Sequence, residues 1–252
     1  MSQNAALAGV PGVPETALSQ ALLAALPGSR APAPWSGVCD AVLWVGRGGS
    51  PATAALPPAL HARGLAVVGG MVRYRETPVG PYDEVLGVVG SHTGLRPWGS
   101  VAFMAVDSGE SLVGGRENWA MPKTLATFEG DVAAGSTFTA RGADAVAWQV
   151  TTTSRVVGPA VPLRAAGLVR QVFPDGRVGS SRLSVRARVR AAVVGVEVGS
   201  DGPLTSWLRS GRHLGLVVEG ARFTLAEPSL EPVRRRGENG RRAPRPSGRP
   251  RR

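Results

Sequence analysis

Three features of the sequence predict a mainly β fold: an antiparallel sheet curved enough to form a barrel, with a few short helices. Apolar and β-branched runs of strand length recur along the chain, separated by Gly, Pro and Asp turns. One of them alternates cleanly, with Arg182, Ser184, Arg186, Arg188 and Arg190 on one face and Leu183, Val185, Ala187 and Val189 on the other. That is the pattern of a half-buried strand with a solvated arginine face. No long helical stretch lies between strands, which argues against a parallel doubly wound sheet.

The elements follow in order. Residues 1–34 are an Ala/Pro-rich lead-in, in which TALSQALLAAL (16–26) has helical spacing and stops at Pro27-Gly28. VCDAVLWV (38–45) reads as a strand, and Leu56-Pro57-Pro58 as a turn. LAVVGGMVRYRE (65–76) is a strand whose Gly69-Gly70 pair signals a bulge or a close backbone approach. Strands at 82–89 and 101–106 precede a short helix over 108–119. After Pro122 the rhythm is strand and turn: STFTAR, AVAWQVTTT, AGLVRQVF, RLSVRARVRAAVVGVEV and LGLVVEGARFTLAE. The β domain spans 35–233.

Composition narrows the function classes. With 252 residues the chain can bury a sizeable core, and no run approaches the roughly 18 apolar residues of a membrane helix. The start, MSQNAALAGV, lacks the basic and apolar regions of a secretory signal, so a cytoplasmic protein is expected. The single cysteine, Cys39, cannot form an internal disulfide, and with only His61, His92 and His213 beside it no zinc site or other metal cofactor is expected. Of the net charge of +11, the segment 234–252 holds +8, from nine arginines and Glu238. This Arg-rich tail has no large hydrophobic residue and is expected to be disordered. It is the only feature suited to nucleic acid; the nearly balanced body has no such motif. The glycines at 46–49 lack the lysine of a phosphate loop, and no serine sits in a Gly-x-Ser-x-Gly elbow.

One count stands out. Of 29 basic residues, only Lys123 is a lysine. Arginine can take over most lysine roles, but its guanidinium stays protonated, whereas an amine freed of its proton is a nucleophile. Lys123 lies in GRENWAMPKTLA (115–126), and VGPYDEV (79–85) lies upstream with Glu84 39 residues before the lysine.

Together these two segments resemble the acetoacetate decarboxylase family, which has a Gly-Pro-Tyr-x-Glu-like segment and, about forty residues later, Gly-Arg-Glu, an aromatic residue and Pro-Lys. The resemblance covers roughly residues 35–131. It implies a curved β-barrel, a homo-oligomer, a small keto acid as substrate, and no organic cofactor. By position, Lys123 would form a Schiff base with a substrate ketone and Glu84 would act as acid, base or orienting group. An imine protonated at nitrogen accepts the electron pair left when carbon dioxide departs, provided the amine is free near neutral pH, several units below the usual value of about 10.4. Tyr82 shares the motif of Glu84. Trp119 and Met121 flank the lysine, either lining its pocket or packing in the core. Arg116 either contacts substrate or pairs with Glu117 to lock the turn that carries Lys123.

The resemblance has two departures. The family's second lysine, directly after the first, is Thr124 here, and its arginine at the start of the first long strand has no counterpart in Val38-Cys39-Asp40. Arg75, in the strand before Glu84, is the candidate replacement: a cation there would favour the neutral amine or bind a substrate carboxylate. The leading expectation is a decarboxylase. An aldolase or dehydratase using the same imine, and a barrel that binds small molecules without catalysis, are the alternatives.

Overall fold

Strand β1 (Trp35–Arg47) shows how the sheet is built, because both of its faces are covered. Cys39, Ala41 and Leu43 look into one apolar space, while Val42 and Trp44 pack into a second cluster on the opposite face. A two-sided environment of this kind needs a sheet that curls around one core and is covered outside by another. The computed structural model describes residues 3–28, 31–142 and 144–231. The Arg-rich tail at 234–252 lies outside them.

Two short helices, α1 (Gln3–Ala8) and α2 (Gln20–Ala25), precede β1. There follow α3 (Ser50–Ala54), β2 (Ala66–Glu76), β3 (Tyr82–Thr93), β4 (Arg96–Val106), α4 (Gly109–Trp119), β5 (Lys123–Leu125), β6 (Thr127–Gly130), β7 (Thr137–Gly142) and β8 (Trp148–Val156). The chain continues with β9 (Val161–Val172), β10 (Val178–Ser200), α5 (Leu204–Trp207), β11 (Gly211–Leu225) and β12 (Ser229–Glu231). The helix expected over 16–26 is shorter. Ser19 accepts a hydrogen bond from the Leu22 N–H at 3.1 Å and so caps α2 from within the apolar pattern.

The twelve strands of the described residues belong to one sheet, with the path β11-β1-β2-β3-β4-β9-β10-β8-β7-β6. The 23-residue β10 pairs with β9 through its first half, with β8 through its second, and with β11 along its other edge. The β10–β11 pairing closes β11, β1, β2, β3, β4, β9 and β10 into a circuit. Pairing is antiparallel except around β4, which runs parallel to β5 and, through Gly99 and Val169, to β9. The crossover helix α4 makes the parallel step from β4 to β5 possible, since parallel neighbours need a connection that returns to the starting end.

Gly69 and Gly70 pair without a bulge on both sides, so their role is close approach: a Cβ on Gly69 would lie 2.1 Å from the Trp44 ring. Outside the circuit, Trp44, Met71, Phe103, Phe138 and Trp148 form the main core. Inside it, Glu84, Val72, Ala41, Val218 and Val189 stand opposite one another in register from β3 round to β10. Of the alternating arginines, Arg182, Arg186 and Arg188 are exposed, while Leu183 and Val185 face inward.

Candidate active site

Strand β4 brings Lys123 and Glu84 together. On one side Val106 pairs with Glu84 of β3, and on the other Met104 pairs with Lys123 of β5. The lysine side chain is long enough to reach across this intervening strand. Its Nζ donates to Glu84 Oε2 at 2.9 Å and to Ser111 Oγ at 2.9 Å. Both members of the ion pair are out of water, Lys123 at 3% and Glu84 at 1% relative exposure. The Tyr74 hydroxyl donates to the other Glu84 oxygen at 3.1 Å, and Nζ sits 5.1 Å from the centre of the Tyr82 ring.

The turn before Lys123 is sharply defined. Helix α4 is capped by Ser108, which accepts from the Ser111 N–H at 3.1 Å. It ends at Ala120, whose backbone is left-handed with φ of 51°, and the Met121 N–H returns to the Gly115 carbonyl. Ser111 and Gly115 are one turn apart and so share the helix face that meets the lysine. Arg116 is fully buried beneath it. Its guanidinium donates to the carbonyls of Lys123 (2.6 Å), Leu7 (2.6 Å) and Thr16. Burial without a carboxylate lowers its pKa from 12.5 to about 10.

Lys123 and Glu84 open onto a cavity of about 230 Å³ inside the circuit. Its wall is apolar, with Leu43, Leu86 and Phe223 among the larger contributors, and among the described residues the only charged side chains on it are Lys123 and Glu84. Cys39 also lines it, and burial, followed by the Glu84 and Asp40 carboxylates, pushes its thiol up to about 12. The phenols of Tyr74 and Tyr82 are likewise held well above their usual range, first by burial and then by the Glu84 carboxylate. All three are protonated, uncharged groups at neutral pH.

The structure thus collects Lys123, Glu84, Tyr82, Trp119 and Met121 around one cavity. It does not bring Arg75 there. Strand alternation turns Arg75 to the outside of β2, where its side chain is 64% exposed and pairs with Asp40. Nor does Arg116 reach the cavity, since all three of its bonds go to backbone carbonyls. It forms no ion pair with Glu117, which instead accepts from Gln3 at 2.9 Å. Thr124 is buried on the opposite side of β5 from Lys123, and its hydroxyl has no partner among the described residues.

Sequence reasoning missed Tyr74 and Ser111. The signal for Tyr74 was its pairing, by alternation, with the inward side of the strand that precedes Glu84. For Ser111 it was the four-residue spacing to Gly115. Among the described residues no group of three or more His, Cys, Asp or Glu could hold a metal, and no helix is long and apolar enough to cross a membrane.

The acetoacetate decarboxylase family model matches residues 50–190. No curated protein matches the chain. The fold is similar to that of acetoacetate decarboxylase from Legionella pneumophila subsp. pneumophila str. Philadelphia 1, with a TM-score of 0.61 and 16% identity over 82% of this chain and 93% of that one. An acetoacetate decarboxylase-like enzyme from Sphingomonas wittichii RW1 gives 0.58 at 17% identity, covering 81% and 94% of the two chains. The enduracididine biosynthesis enzyme MppR, complexed with the condensation product of pyruvate and imidazole 4-carboxaldehyde, gives 0.59 at 16% identity, covering 80% and 90%. The family match spans more than half the sequence and contains both members of the buried ion pair, so this chain belongs to the acetoacetate decarboxylase family.

Proposed function

We propose that the protein is a decarboxylase that uses Lys123 to form a Schiff base with a β-keto acid. The observation that carries this reading is the buried Lys123–Glu84 contact on the wall of an apolar cavity. A proton passes along the 2.9 Å bond from the ammonium to Glu84, leaving a neutral amine and a neutral carboxyl. The amine attacks the ketone carbon, and a new carbon–nitrogen bond forms as the ketone oxygen leaves as water. That water takes one hydrogen from the amine and one from the Glu84 carboxyl, so the imine keeps a proton on nitrogen and Glu84 is again a carboxylate. The carbon–carbon bond to the carboxylate then breaks. Its electron pair moves into the protonated imine to give an enamine, and carbon dioxide departs. A proton taken up from solvent and relayed through Glu84 goes to the enamine carbon, and water hydrolyses the resulting protonated imine to release the ketone and restore the Lys123 ammonium.

The apolar wall assists the bond cleavage, because a carboxylate held away from water loses charge as it becomes carbon dioxide. Tyr74 holds the second oxygen of Glu84 and so fixes which oxygen meets the amine. Ser111 holds the amine from the side of α4. The family resemblance extends the proposal to a cytoplasmic homo-oligomer, which light scattering of the purified protein tests.

Reduction with borohydride in the presence of acetoacetate is the decisive experiment. Peptide mapping should find the added substrate mass on Lys123, and Lys123→Arg, which keeps the charge but cannot form an imine, should abolish it. An unmodified Lys123 across a panel of β-keto and α-keto acids would overturn the reading. The alternative use of the same imine, aldol condensation, draws support from the ligand in the MppR complex. Trapping without carbon dioxide release would favour it.

A further inference from the structure

We infer that the preferred substrates are 3-oxo acids with an apolar chain longer than the methyl group of acetoacetate; this rests on the Schiff-base reading above. Two observations lead to it. Among the described residues the cavity wall offers no cation other than Lys123 itself, and once the imine forms that charge sits on the nitrogen that accepts the electron pair of the breaking bond. Beyond that nitrogen a substrate carboxylate gains no ion pair from the described wall, and entry into the cavity costs its hydration. Arg75, the residue that could have supplied the charge, is outside with Asp40. Binding free energy must come from the remainder of the substrate, and the surface facing it is hydrocarbon.

The second observation is size. An apolar cavity of about 150 Å³ takes a benzene molecule, roughly 25 Å³ per non-hydrogen atom. On that scale the cavity of about 230 Å³ holds about nine such atoms. Acetoacetate bound as an imine fills about six of them, leaving room for about three more carbons. The extra space has a definite boundary. Leu183 and Val185 of β10, with Phe223 and Leu225 of β11, face the lysine's strand from across the circuit. None carries a polar side-chain atom, so they suit an alkyl chain and reject a charged or hydroxylated one, whose polar groups would find no partner.

The test is a homologous series of straight-chain 3-oxo acids from four to twelve carbons. Carbon dioxide release and borohydride adduct formation at Lys123 are measured for each. Each methylene buried is expected to raise kcat/KM about fourfold, up to an optimum at roughly six to eight carbons, with a fall beyond it. Val185→Phe should move the optimum to shorter acids. Adducts that form with every acid but show no rise above acetoacetate would sink this inference and leave the Schiff-base reading intact. No adduct with any acid would remove both. The wild-type series decides the matter even if the Val185 variant fails to fold.

Discussion

Gly115 and Lys123 are packed so closely that a Cβ on the glycine would lie 2.6 Å from the lysine Cδ and 2.7 Å from its Cε. Gly115→Ala should separate stability from chemistry. In a helix interior the substitution gains up to about 1 kcal/mol of propensity. Against this, the methyl group must push the lysine stem aside, and misplacement by about 1 Å can cost on the order of 100-fold in rate. The expected outcome is a folded variant, with melting temperature within a few degrees of wild type, whose borohydride trapping at position 123 is reduced by about two orders of magnitude. Unchanged trapping would show that the glycine is not what positions the amine.

The buried ion pair makes its own prediction through a double-mutant cycle. Among the described residues, Glu84→Gln leaves the Lys123 ammonium without a countercharge, and Lys123→Met leaves the Glu84 carboxylate without one. Removing one partner of a buried pair typically costs about 3–5 kcal/mol, whereas removing both charges is far less damaging. Denaturant unfolding of the two single variants and the double variant should therefore give a double variant more stable than the sum of the single effects allows. Strict additivity would mean that the two groups do not interact in solution.

This arrangement was partly legible in the sequence. The lone lysine and the Glu84 motif marked the two residues that the fold brings into contact, because both depend on residue identity and spacing. The strands were legible because alternation and β-branched content are local signals. Arg75 was misread because its facing depends on register: one step along β2 separates the inward Tyr74 from the outward Arg75. The destination of Arg116 was hidden for a different reason. Its acceptors at Leu7 and Thr16 lie about a hundred positions away in a lead-in whose course no periodicity reveals. The cavity itself is a property of closure, since β10 and β11 supply the far wall only after the circuit forms.

Alkaline pH should weaken the fold through the cavity wall. The Cys39 thiol is raised from 9.0 to about 12, and the phenols of Tyr74 and Tyr82 are also raised. Between pH 9 and 12 the unfolded chain loses these protons while the native protein keeps them. The native state then binds more protons, so stability is full below pH 9 and declines as pH rises through this window. Melting temperatures measured from pH 8 to 11 should fall with increasing slope above 9, and Cys39→Ala and Tyr74→Phe should each flatten the curve. A wild-type profile level up to pH 11 would contradict the burial of these groups.

Arg116 provides the sharpest distinction between holding the site and touching the substrate. Its guanidinium ties three separate carbonyls, at Lys123, Leu7 and Thr16, and so fastens the strand that carries Lys123 to the lead-in. Hydrogen bonds from a charged donor are worth roughly 1.5–3 kcal/mol each, and losing the donor also leaves buried carbonyls unsatisfied. Arg116→Met fills much of the same volume with no donor, so it should destabilise the protein by about 3 kcal/mol or more. Arg116→Lys keeps the charge but concentrates its donors at one point and should recover only part of that loss. Neither change alters the cavity wall. For whatever fraction remains folded, the dependence of KM on substrate chain length should match wild type. A selective rise in KM for acids of every length, without loss of stability, would instead place Arg116 against the substrate carboxylate.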